Sequence, residues 1–124
     1  MLVLYRFAVD ERETEDFSRD AEAALAALAA CEGYVRGGLA RAVDEDATWL
    51  LWTEWTGVGV YRRALSNYQV KMSTPLLSQA LPEASGFEVL AECAPGGEPV
   101  GSGSDRSDDP EAARRGTQIG RAHV

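Results

Sequence analysis

Histidine, cysteine and clustered carboxylates are the usual carriers of acid, base and metal chemistry, and this 124-residue chain offers little of any of them where they could cooperate. Its single histidine, His123, stands at the far C-terminus, so the body of the chain has no imidazole to act as base or ligand. Cys31 and Cys93 are far apart and lack a CxxC or His-rich context, which speaks against zinc and against a redox motif and leaves both as reduced, structural thiols. The acidic runs Glu11 to Asp16 and Asp44-Glu45-Asp46 lack the ligand spacing of a calcium loop; they read as a helix start and a solvated turn. What remains is the chemistry of phenols, indoles and a few cations. These groups line apolar pockets, stack on ring systems and donate hydrogen bonds to a ligand oxygen.

The elements that must hold those groups are legible. Leu2 to Val9 is apolar in both alternating sets, as a strand covered on both sides would be, and it carries Tyr5 and Phe7. Asp10 followed by Glu13 has capping-box character, so a helix starts there, with Phe17, Ala21, Ala24, Leu25, Leu28 and Cys31 on its apolar stripe and Gly33 ending it at C′. Tyr34 to Val43 and Ala47 to Trp55 form a hairpin around Asp44-Glu45-Asp46. A three-residue loop sets Gly38 opposite Trp52 and Arg36 opposite Glu54, with Leu39 facing Leu51, Val35 facing Trp55 and Arg41 facing Trp49. Thr56 caps a second helix with Val58, Tyr61, Leu65, Tyr68 and Met72 on one stripe. Thr74-Pro75 opens a third, Leu76 to Leu81, closed by Pro82. A last strand runs from Gly86 to Glu92.

The order βαββαβ predicts an α+β, ferredoxin-like domain over 1–93 with a four-stranded antiparallel sheet whose central strands are the first and third. Two helices cover one face of such a sheet. The other face, with Leu2, Leu4, Leu50 and Trp52, needs a further cover, and a second copy of the chain is the simplest one. Arg6 points to that same face and either bridges the two copies or binds an anion. Residues 94–124 are rich in Gly, Ser, Pro and Asp and read as a disordered tail, with at most a helical turn over Glu111 to Arg115. The closing Ile119-Gly120-Arg121-Ala122-His123-Val124 matches one frame of a common sequencing adapter and marks the end as a candidate assembly artefact.

Hydrophobic residues make up 45% and charged residues 26%, the balance of a globular domain, and no apolar run approaches the roughly 18 to 20 residues that span a bilayer. With neither span nor signal peptide, a cytoplasmic location is expected. A net charge of −8 disfavours nucleic acid as a partner.

Three features together resemble the antibiotic biosynthesis monooxygenase (ABM) domain family over about Leu2 to Leu90: the opening strand with Phe17 eight residues beyond Val9, Glu32-Gly33-Tyr34 entering the second strand, and Thr53-Glu54-Trp55 closing the third. The resemblance implies a dimeric α/β barrel. Its members include cofactor-independent oxygenases of aromatic polyketides, haem degraders and proteins with no assigned reaction. The Asn, Trp and His of the haem degraders fall here on Tyr5, Ala64 and, more loosely, Thr74, so the haem pattern is not met.

The oxygenase reading needs only an apolar, aromatic-walled pocket and a few polar groups, with no cofactor and no metal. It places Tyr5, Phe7, Trp49, Tyr61, Leu65, Tyr68 and Met72 around a cavity between helices and sheet. Tyr5, Tyr61 and Tyr68 would donate to a substrate oxygen, Trp49 would stack, and Asn67 or Arg41 would stabilise a developing phenolate or peroxide. No general base stands out. The same stripe equally describes a buried helix face, so a non-catalytic dimer that binds a small apolar ligand, or is purely structural, is the second reading.

Overall fold

Strands β1 (Leu2–Ala8) and β3 (Thr48–Trp55) lie side by side at the centre of a four-stranded antiparallel sheet, flanked by β2 (Tyr34–Arg41) and β4 (Gly86–Phe87) in the order β2-β3-β1-β4. The computed structural model describes residues 1–103, which fall into two compact units, Met1–Phe87 and a second beginning at Glu88. The first unit is an α+β fold with its helices on one face of the sheet. Among the described residues no helix is long and apolar enough to cross a membrane.

Burial alternates along β3 as a one-sided sheet requires: Trp49, Leu51, Thr53 and Trp55 are buried, while Thr48, Leu50, Trp52 and Glu54 are only half-buried. The hairpin has the expected register at Gly38 with Trp52, Arg36 with Glu54, Leu39 with Leu51 and Arg41 with Trp49. Gly38 is needed there, because an added Cβ would lie 2.9 Å from the Trp52 indole nitrogen. The expected pair of Val35 with Trp55 does not form. A bulge between Tyr34 and Arg36 pairs Tyr34 with Trp55 instead, turning the tyrosine inward against the indole and leaving Val35 49% exposed.

Asp10 starts the first helical segment, a 3-10 turn over Glu11–Glu13 in which its carboxylate accepts from the Arg12 amide at 2.9 Å; α1 follows as Thr14–Ala29. Its buried stripe is Phe17, Ala21, Ala24 and Leu28. The helix stops at Ala29, earlier than expected, because the Cys31 amide turns back to the Leu28 carbonyl. Gly33 comes after that turn with φ +91, packed so closely that a Cβ would sit 2.4 Å from Val60 Cγ2.

The expected second helix is two helices, α2 (Val58–Ala64) and α3 (Tyr68–Lys71). Asn67 breaks it: its side-chain oxygen accepts from the amides of Gln69 at 2.8 Å and Val70 at 3.2 Å and so restarts the helix. Gly57, not Thr56, occupies the N-cap of α2, and the Thr56 amide donates to the Gly33 carbonyl at 2.9 Å. The third helix, α4, spans Thr74–Leu77 rather than Leu76 to Leu81, with Ser73 at its N-cap. It ends early because the chain is drawn to the edge of β1, where the Leu81 amide donates to Arg6 and the Leu4 amide to Ser85, both at 2.7 Å. Only Gly86 and Phe87 of the expected last strand pair with β1. In the second unit, β5 (Ala91–Glu92) pairs with β6 (Val100–Gly101), within the segment expected as tail for β6. The expected turn over Glu111 to Arg115, and Ile119 to Val124, lie outside the described residues.

Two buried clusters fill the space between helices and sheet. One contains Phe7, Val9, Phe17, Ala21, Ala24, Trp49, Leu51 and Leu76. The other contains Val3, Leu28, Trp55, Tyr61, Ala64 and Val70. Tyr5 packs against both. On the opposite face Leu2, Leu4, Leu50 and Trp52 are half-buried, and Arg36 lies 5.5 Å over the Trp52 ring while binding Glu54 at 2.8 Å. Arg6 reaches Glu83 at 3.4 Å, an exposed pair of small energetic weight.

Candidate functional site

β1 and α2 meet at Tyr5 and Tyr61. Tyr5 is on the helix-facing side of a central strand and Tyr61 is in the middle of α2, 8% exposed, and their hydroxyls are hydrogen-bonded to each other. Burial, reinforced by that hydrogen bond, pushes the Tyr61 phenol far above the ordinary range, so it stays neutral. In such a pair one hydroxyl donates to the other, and one O–H is left for a third acceptor.

A cavity of about 470 Å³ lies nearby, between the end of β1, the first half of α1 and the segment from Met72 to Gln79. Its apolar walls are Phe7, Val9, Phe17, Ala23, Met72, Pro75 and Leu76, and Glu13, Asp16, Asp20, Ser73 and Gln79 supply polar atoms. The volume is within the range of small-molecule sites. Asp16 is held by Arg19 one turn along α1.

Behind this wall Trp49 packs edge-on against Phe17 with ring centroids 5.5 Å apart, and the Arg41 guanidinium sits 5.3 Å over the indole. The indole N–H of Trp49 is buried and has no hydrogen-bond partner. That is unusual for a buried donor.

Of the residues singled out from sequence, the structure brings together Tyr5 with Tyr61 and Arg41 with Trp49, and sets Phe7 and Met72 on the cavity wall. It does not gather the rest. The break at Asn67 turns the stripe outward beyond Ala64, so Leu65 is 38% and Tyr68 69% exposed. Asn67 itself caps α3. Sequence reasoning missed Phe17, Leu76 and the carboxylates as cavity residues. Phe17 was visible only as part of a helix stripe, and Glu13 and Asp16 only as acids suited to a helix start. Among the described residues no group of three His, Cys, Asp or Glu side chains could hold a metal ion.

No protein-family model matches the chain, and no curated protein matches it. Solved structures do. A cofactor-independent oxygenase from Streptomyces nogalater, SnoaB, is 26% identical over 64% of this chain and 80% of its own, with a TM-score of 0.55. A protein from Nitrosomonas europaea described as a candidate antibiotic biosynthesis monooxygenase is 11% identical over 82% of this chain and 88% of its own, with a TM-score of 0.58. A Mycobacterium tuberculosis protein is 12% identical over 75% of this chain and 97% of its own, with a TM-score of 0.61. Neighbours described as antibiotic biosynthesis monooxygenases are thus among the structures that share this fold, the type that the sequence resembles.

Proposed function

We propose that this chain is a cofactor-independent monooxygenase of small aromatic or polyketide-like substrates, acting as a homodimer closed over the sheet face that carries Leu2, Leu4, Leu50 and Trp52. The cavity carries the reading: an open pocket with Phe7, Phe17 and Leu76 among its apolar walls and the carboxylates Glu13, Asp16 and Asp20 on its lining. A ring system held there loses a proton to one of those carboxylates and becomes an electron-rich anion. That anion gives an electron to dioxygen and then combines with the reduced oxygen. One oxygen atom ends in the product carbonyl and the other leaves as water. Of the groups that can donate to the developing oxyanion, Ser73 and Gln79 line the cavity, while the Tyr5–Tyr61 pair, the Trp49 N–H and the Arg41 cation stand outside its lining. The likeness to SnoaB, itself a cofactor-independent oxygenase, supports the reaction class.

The second reading, a non-catalytic dimer that binds a small apolar ligand, draws support from the exposure of Tyr68 and the capping role of Asn67, neither of which is on the cavity lining. Oxygen uptake by the purified protein with a panel of anthrone-type substrates separates the two. The monooxygenase consumes oxygen above buffer, and Met72→Trp, which fills the cavity from a side chain 62% exposed, abolishes it. Binding of the same compounds without oxygen uptake leaves only the second reading.

A further inference from the structure

Four aromatic side chains join the cavity side of the core to the outer strand of the sheet. Tyr5 packs against the cluster that holds Phe7, Phe17 and Leu76 and shares a hydrogen bond with Tyr61. The Tyr61 ring lies 5.5 Å from that of Trp55 at 58°, and Trp55 meets Tyr34 at 5.6 Å and 88°. The Trp55 indole N–H is anchored on Thr53 Oγ1 at 2.7 Å, which fixes the ring between its two neighbours. Phenols and indoles are the most easily oxidised side chains other than thiols, and electron tunnelling weakens exponentially with distance. Successive short steps between rings in edge contact therefore outrun one long jump.

We infer that Tyr5, Tyr61, Trp55 and Tyr34 form a relay that exports an oxidising equivalent from the core beside the cavity to Tyr34 on β2. The oxidant is an organic peroxyl radical, and the inference does not require that this protein make it. The radical takes an electron and a proton from the Tyr5 hydroxyl and becomes a hydroperoxide. Tyr61 passes its own hydrogen atom across the shared hydrogen bond, so the Tyr5 O–H bond re-forms as that of Tyr61 breaks. Trp55 then gives an electron to the Tyr61 oxygen, and a proton enters from solvent through Tyr5. Burial disfavours a Tyr61 phenolate, so electron and proton arrive together. Tyr34 reduces the Trp55 radical cation, and its phenolic proton leaves to water. In sum, one peroxyl radical and the Tyr34 phenol become one hydroperoxide and one Tyr34 phenoxyl radical. The proton taken up at Tyr5 matches the one released at Tyr34.

The test exposes the whole chain to peroxyl radicals from a water-soluble azo initiator, maps oxidised tyrosines by peptide mass spectrometry and records electron paramagnetic resonance on frozen samples. The relay puts oxidation on Tyr34 ahead of Tyr68, although Tyr68 is 69% exposed and Tyr34 only half-buried. Trp55→Phe lowers the Tyr34 share several-fold and raises that of Tyr5 and Tyr61. Tyr34→Phe removes the terminal site, so the oxidised share of Tyr5, Tyr61 and Trp55 rises. Should Trp55→Phe not fold, as judged by circular dichroism, Tyr61→Phe interrupts the same path and must also lower the Tyr34 share. Oxidation that follows exposure alone, with Tyr68 first, overturns the relay. So does a Tyr34 share that neither interruption changes.

Discussion

The hydroxyls of Tyr5 and Tyr61 share a hydrogen bond although the residues stand 56 apart in sequence, and the bond ties a central strand to the helix above it. Tyr61→Phe leaves Tyr5, only half-buried, able to find water, so the loss should be about 1 kcal/mol. Tyr5→Phe strands the more deeply buried Tyr61 hydroxyl and costs more. The double substitution should cost less than the sum of the two, because neither hydroxyl is then left unpaired. Urea midpoints of the four proteins measure the coupling, and simple additivity would mean that the two groups do not cooperate.

The same pair predicts a response to alkali. Because burial holds the Tyr61 phenol above its ordinary value, the folded chain keeps a proton that the unfolded chain releases near about pH 10. Above that pH the native state binds more protons than the unfolded state, so stability falls as pH rises; below it the contribution is fully present. Absorbance titration at 295 nm should show the Tyr61 phenol ionising only as the chain unfolds, a step that is missing in Tyr61→Phe. In Tyr61→Phe the alkaline slope of stability should flatten.

Gly33→Ala should cost about 2 kcal/mol or more, since φ +91 is left-handed and the new methyl would collide with Val60 on α2. The thermal midpoint reads the loss. Pairing the change with Val60→Ala should recover part of it, because the collision is relieved while the backbone strain is not.

Where two signals agreed, the architecture was legible from residues alone. The register between β2 and β3 follows from a glycine that must face an indole, Gly38 at Trp52, and from opposite charges that must meet, Arg36 at Glu54. The alternation of β3 likewise marked Trp52 and Leu50 as the second face. Legibility failed where side chains compete with the backbone. Val58 to Met72 keeps an unbroken apolar period, and only the local hydrogen bonds of Asn67 reveal two helices. The bulge at Val35 depends on Trp55 preferring the ring of Tyr34, a choice that periodicity does not encode. The cavity was hardest, because its walls come from β1, α1 and the segment after α3. Phe17 and Leu76 share no pattern in sequence and become neighbours only once the chain has bent at Asn67 and been drawn to β1 by the Leu81 amide.

The homodimer proposal rests on Leu4 and Trp52, which are register partners on the sheet face away from the helices and are both half-buried. Leu4→Arg puts a charge in the middle of that face. In a lone subunit the guanidinium can reach water along the sheet and folding should be little changed. In a dimer it would be buried against its own symmetry mate, because a two-fold interface uses the same patch on both copies, and two unpaired cations would then face each other out of water. The expected outcome is a dimer for the parent chain and a folded monomer for Leu4→Arg in sedimentation velocity at micromolar concentration. Leu4→Glu should do the same with the opposite sign of charge, which separates desolvation from any specific repulsion. Mixing the two variants should restore dimer in part, since unlike charges then meet across the axis. A parent chain that sediments as a monomer would remove the partner from the proposed enzyme while leaving the cavity within one subunit, where oxygen uptake would still test it.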